Sequence, residues 1–132
     1  MMASPRFVPT RSNDADTVPF ATVEEAWMWG VKSLQCRLDG AQMRPGVGAI
    51  SRPCEASDVV NCAERLRRRR ELSATDISVL FLYGQYAIPP RALGRVHIQA
   101  ARVWERALAR LEPLLEQKGI ITPSSARDAD HA

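Results

Sequence analysis

The chain has 132 residues, of which 45% are apolar and 25% charged, with a formal net charge of +3; these proportions suit one globular domain with a single core and exclude disorder throughout. Aromatic residues make up only 6%, and no segment alternates β-branched residues over strand length, which excludes a sheet protein and predicts an all-α fold. Cys36, Cys54 and Cys62 form no CxxC pair, so neither a disulfide framework nor a zinc quartet is expected, and no apolar run is long enough to span a bilayer. The expectation is a cytoplasmic protein with reduced thiols and no membrane contact.

Residues 1–21 mix Pro, Ser, Asn and Asp without periodicity and read as a disordered tail, as do residues 122–132. Residues 22–121 are then a single helical domain. Thr22 followed by Glu25 has the form of a capping box that starts the first helix. Val23, Trp27, Val31, Leu34 and Leu38 form its buried stripe, and Gly40 stops it. Residues 39–55 carry three Gly and two Pro and predict an irregular connector. Ser57 or Asp58 caps a short second helix, with Val59, Cys62, Ala63 and Leu66 on one face, ending at the run Arg67 to Arg70. Ser73 with Asp76 opens the third helix, with Ile77, Leu80 and Phe81 inward and Gly84 as a left-handed stop.

Pro89 and Pro90 fix the entry to the next helix, since proline fits a first turn. From Arg91 the pattern predicts a long helix whose buried arc holds Leu93, Val96, Ala100, Val103, Trp104, Ala107 and Leu111. Pro113 predicts a kink or restart near Glu112. Gly119 closes the segment, and Ile120 and Ile121 fold back onto the core. The whole is a compact bundle of four to five helices with a long C-terminal helix.

Enzyme chemistry is not indicated. Gly46 and Gly48 follow no strand and lack the third glycine of a dinucleotide turn. The carboxylates fall at helix starts or on helix surfaces, where the dipole or solvent accounts for them. His97 is the one histidine outside the tails and has no partner at metal-ligand spacing. No cofactor is expected.

The informative residues are cationic. Sixteen of the eighteen basic residues are arginine, a bias that a GC-rich genome produces by itself, so position matters more than number. At 100° per residue, Arg91, Arg95, Gln99, Arg102 and Arg106 fall on one side of the long helix, opposite its apolar arc. Arginine forks match guanine edges and phosphate oxygens, and glutamine can read adenine, so this face suits a major groove. Arg67, Arg68, Arg69 and Arg70 gather at a helix end and predict phosphate anchoring. Trp29 lies off the buried stripe of the first helix and predicts a protein contact.

The run Leu72-Ser-Ala-Thr-Asp-Ile-Ser-Val-Leu-Phe-Leu-Tyr-Gly84 resembles the opening helix of the sigma-factor C-terminal promoter-reading domain. Leu93-Gly94 through Ala107-Leu108 to Leu111 looks like its recognition helix, and both are similar to sigma-like phage regulators and antiterminators. The resemblance implies a helix-turn-helix touching DNA through Arg95, Gln99 and Arg102. Between the two runs only QYAIPPRA remains, which makes the motif non-standard. The leading expectation is therefore a bacterial transcription regulator that binds double-stranded DNA. The alternatives are a protein-binding adaptor of phage type that engages RNA polymerase through the same arginines, and a helical module that pairs with a second copy.

Overall fold

The computed structural model describes residues 17–38 and 51–123. Four helices run in chain order: α1 (Val23–Leu38), α2 (Ala56–Arg68), α3 (Ala74–Tyr86) and α4 (Ile98–Gln117). Two 3-10 turns, Pro90–Leu93 and Arg95–His97, lie between α3 and α4. The all-α reading holds, with the longest helix last.

The core forms where the helices face one another. Trp27, Val31, Val59, Cys62, Ala63, Leu66, Leu80, Trp104, Ala107 and Leu111 are all buried within it, as the helical periodicity predicts. Burial of a large aromatic requires its ring N–H to be satisfied, because an unpaired buried donor is costly. Trp27 Nε1 donates to the Leu80 carbonyl at 2.7 Å, and Trp104 Nε1 donates to Glu24 Oε2 at 2.8 Å. Each tryptophan thus ties two helices together by packing and by a hydrogen bond.

Helix starts follow local hydrogen-bond chemistry. Ser73 Oγ accepts from the Asp76 amide at 3.1 Å while Asp76 Oδ2 accepts from the Ser73 amide at 2.9 Å, a complete capping box. At α1, Thr22 Oγ1 accepts from the Glu25 amide, but the Glu25 carboxylate accepts from Ala21, one residue earlier than a strict box would have it. α2 starts earlier than Ser57 or Asp58 predicted. Its cap is Glu55, whose amide donates to Asp58 Oδ2 at 2.8 Å, so Asp58 is the third residue of the turn instead of the cap.

Helix ends share one device. α2, α3 and α4 each end through a residue in left-handed conformation: Arg70 (φ 65°), Ala87 (φ 58°) and Gly119 (φ 75°). The following amides return to the last turn, Glu71 to Leu66, Ile88 to Tyr83 and Ile120 to Leu115. This is the Schellman arrangement. Only α4 uses glycine for it, and there Ile120 and Ile121 are buried as expected.

Four expectations need correction. Gly84 does not end α3, which continues to Tyr86. A Cβ on Gly84 would lie 2.9 Å from Trp27 Nε1 and 3.1 Å from Val31 Cγ2, so this glycine serves close helix approach and not a turn. The long helix begins at Ile98, seven residues after Arg91, because Gly94 (φ 93°) breaks the path and the paired prolines lead into 3-10 turns. Leu93 and Val96 are consequently outside the core, Val96 at 89% exposure, and Leu108 and Leu115 fill the arc instead. α4 runs through Pro113 without a restart. The hydrogen bond lost there would have gone to Ala109, which is exposed, so water can serve that carbonyl.

The fourth correction concerns the first segment. Residues 17–21, read as part of a tail, are strapped to the fold: Phe20 N donates to the Ile120 carbonyl at 2.9 Å and the Thr122 amide donates back to Phe20 at 2.9 Å. Phe20 is 1% exposed. Its ring lies 5.1 Å from that of Trp29 and 4.0 Å beneath the Arg52 guanidinium. Trp29 is therefore half-buried against Phe20, a neighbour that the helical wheel of α1 does not reveal. The expectations for residues 1–16, for Gly40 and most of the connector, and for residues 124–132 lie outside the described residues.

Candidate polyanion-binding site

The structure divides the arginines predicted to share one helix face. Arg91 belongs to the first 3-10 turn, Arg95 to the second, and Gln99, Arg102 and Arg106 to α4. Arg91 grips Glu24 with both arms, at 2.7 and 2.8 Å, and reaches Glu105 at 3.3 Å. This fork joins α1 to α4 and holds the Glu24 carboxyl below its ordinary range, chiefly through the Arg91 hydrogen bond, against the opposing effect of burial. The Arg91 guanidinium is correspondingly pushed up by Glu24. Arg91 thus clamps α1 to α4, with its charge offset by Glu24 and Glu105.

Arg106 has a double position. Its Nη2 donates to Asp76 Oδ1 at 2.8 Å, and the Asp76 side chain is buried at the start of α3. Burial pushes the Asp76 carboxyl up, but the Ser73 amide, Arg106 and the Ser73 hydroxyl together outweigh it and hold the group below its ordinary range. Arg106 also borders a cleft of about 710 Å³, lined in addition by Arg67, Arg70, Glu71, Leu72, Ser73, Ala74, Asp76 and Arg110. Arg110 Nη1 donates to the Glu71 carbonyl at 2.6 Å, which fixes that arginine at the same edge.

The predicted run at the end of α2 is also divided. Arg67 and Arg70 line the cleft. Arg69 pairs with Glu71 at 2.8 Å. Arg68 is exposed, outside the cleft lining. Arg67 and Arg70 have no acid partner among the described residues. The left-handed turn at Arg70 reverses the chain so that the end of α2 and the start of α3 form two walls of one cleft, while the flank of α4 forms the third.

The cleft therefore contains four guanidinium groups against two carboxylates, Asp76, which is hydrogen-bonded to Ser73 and Arg106, and Glu71, which is ion-paired with Arg69. The first two amides of α3, at Ala74 and Thr75, add the positive end of a helix dipole. Such an array is rich in positive charge and hydrogen-bond donors. Comparison with known protein families, with curated proteins and with solved structures finds no match.

Arg102 stands one helical turn before Arg106, and Arg110 one turn after it, so the three lie in a row along α4. Gln99, Arg102 and Arg95 are exposed or nearly so and carry no acid partner among the described residues. Sequence reasoning missed Arg110, because at 100° per residue it falls at the edge of the apolar arc, beside Val103, and only its hydrogen bond to the Glu71 carbonyl shows which way it faces.

No group of three His, Cys, Asp or Glu side chains is placed to hold an ion among the described residues. Burial pushes the Cys62 thiol up, which keeps it protonated and weakly reactive. His97 Nδ1 sits 2.6 Å from the Tyr83 hydroxyl and pins the second 3-10 turn to α3.

The two carboxylates of the arginine pairs set an acid limit on the fold. Both Glu24 and Asp76 are lowered in the folded state, so their contribution is full above their ordinary values of 4.5 and 3.8 and is lost as pH falls through the lower folded values. Urea unfolding is expected to give constant stability from about pH 7 to about pH 5.5, with a decline below about pH 4. Asp76→Asn should be less stable at neutral pH and show a shallower decline. Equal acid slopes in the two proteins would contradict the role of Asp76.

Proposed function

We propose that this protein binds double-stranded DNA through the phosphate backbone, with the cleft of Arg67, Arg70, Arg106 and Arg110 as its anchor and Arg102 extending the row along α4. The observation that carries the reading is the convergence of arginines from α2 and α4 on one cleft at the amino end of α3, with Arg67 and Arg70 lacking an acid partner among the described residues. Among the described residues no aromatic side chain lines that cleft. Single strands are held largely by base stacking on aromatics, so a duplex backbone is the better fit.

Gln99, Arg102 and Arg95 supply the groups that would reach base edges once the backbone is held. A role in bacterial transcription control, as the sigma-factor resemblance implies, fits a protein of this kind. The DNA contact differs from the one that resemblance implies in resting on the cleft in addition to the face of α4.

The test is a fluorescence anisotropy titration of a labelled duplex at several salt concentrations. Neutralising about four phosphates predicts a log–log slope of affinity against salt of roughly −3.5 to −4. Absence of binding at low salt, or a slope near zero, would contradict the proposal.

A further inference from the structure

Six of the seven large hydrophobic side chains exposed among the described residues fall in one stretch: Leu82, Tyr86, Ile88, Leu93, Val96 and Ile98. Leu82 and Tyr86 lie one turn apart on the outer face of α3. The others follow it through the two 3-10 turns to the first residue of α4. The Tyr83–His97 hydrogen bond at 2.6 Å and the contact of their rings pin the second turn against α3, which brings these side chains to one end of the bundle. Tyr86 is 63% exposed and Val96 89%. Exposed apolar side chains gathered at one end mark a surface that is covered in use.

The charge around this surface says what covers it. No Asp or Glu occurs from Ile77 to Trp104, twenty-eight consecutive residues, while Arg91, Arg95 and Arg102 do. Arg91 is neutralised by Glu24 and Glu105. Arg95 and Arg102 remain without an acid partner among the described residues, at the edge of the apolar side chains.

From this juxtaposition we infer that the end of the bundle formed by α3 and the two 3-10 turns docks an acidic amphipathic helix of another protein, its apolar face on Tyr86 and Val96 and its carboxylates on Arg95 and Arg102. A helix laying its apolar face on such a surface is a common recognition mode, and the charges set its orientation and partner choice. A symmetric pair of this chain through the same face would bring each arginine pair against its own copy, without acids to offset it. Two unneutralised arginines are also fewer than the clusters of about four to eight by which proteins hold anionic lipid. This surface lies toward the opposite end of α3 from the cleft of Arg67, Arg70, Arg106 and Arg110, and shares only Arg95 and Arg102 with the base-edge contacts proposed above.

The probe is a labelled synthetic amphipathic helix of about 18 residues with a Leu/Phe face and Glu flanks, beside a second peptide with the same apolar face and Lys flanks. The protein should bind the Glu peptide at least tenfold more tightly than the Lys peptide. Val96→Asp, at a side chain with almost no neighbours to disturb, should weaken that binding at least tenfold while leaving the helical circular dichroism unchanged. Arg67→Ala with Arg70→Ala should leave peptide binding unchanged. Equal affinity for the two peptides, no binding of either, or loss in the Arg67/Arg70 variant but not in Val96→Asp would overturn the inference. So would sedimentation showing a dimer that Val96→Asp dissociates, or flotation with phosphatidylserine vesicles that the same substitution abolishes.

Discussion

Replacing Gly84 by Ala is expected to destabilise the protein by about 1–3 kcal/mol, although the same change in an exposed helix interior would stabilise it by about 1 kcal/mol. The new Cβ would meet Trp27 Nε1 at 2.9 Å and Trp27 Cδ1 at 3.3 Å. That indole has little room to yield, because its N–H is bonded to the Leu80 carbonyl one turn away and its ring is packed against Phe81 at 5.2 Å. Removing the indole should be worse: Trp27→Ala empties a fully buried site and is expected to cost about 3–5 kcal/mol, a large share of the stability of a domain this size. The two sites are coupled, so Gly84→Ala should cost measurably less in a Trp27→Phe background. Urea unfolding with an unchanged m-value checks each case, and additive costs would show that Gly84 and Trp27 do not share the contact.

The second large effect is on DNA binding. Arg67→Glu with Arg70→Glu is expected to reduce duplex affinity by a hundredfold or more at low salt, since it removes two phosphate contacts and adds two repulsive charges. Both side chains are exposed and neither is used to hold the fold, so thermal stability should be little changed. Arg91→Ala predicts the reverse pattern. It leaves Glu24 without its fork, lowering stability, and should hardly affect DNA affinity at a temperature where the variant is folded. An equal loss of affinity in the two variants would mean that the cleft has no special part in binding.

Much of the fold can be read from the residues, because helices are local objects. The periodicity of Val59, Cys62, Ala63 and Leu66, the Ser73–Asp76 box and the Gly119 stop all depend on neighbours within a turn or two, and all are found in place. The failures arise where the deciding partner is distant. Gly84 looks like a helix stop until Trp27, more than fifty positions away, is seen to lie on it. Phe20 looks like part of a tail until Ile120 and Thr122 supply its backbone partners. Left-handed turns at Arg70 and Ala87 carry no signal, since neither residue favours that conformation.

The candidate site shows the same division. A helical wheel can show that Arg102 and Arg106 share a flank, and a charge run can show that Arg67 to Arg70 are dense. Neither shows that Glu24 captures Arg91, that Glu71 takes Arg69, or that Arg110 joins Arg67 and Arg70 across a chain reversal. Which arginines are spent on the fold and which remain available is a tertiary property.

The proposed function places a polyanion in the arginine cleft. Arginine side-chain NMR of the protein titrated with a short duplex tests it most directly, by following the guanidinium resonances of Arg67, Arg70, Arg106 and Arg110 against those of Arg91. The account predicts saturable shifts in the first four, with Arg91 held still by Glu24. Shifts confined to other arginines, or none at DNA concentrations that saturate the anisotropy titration, would contradict it.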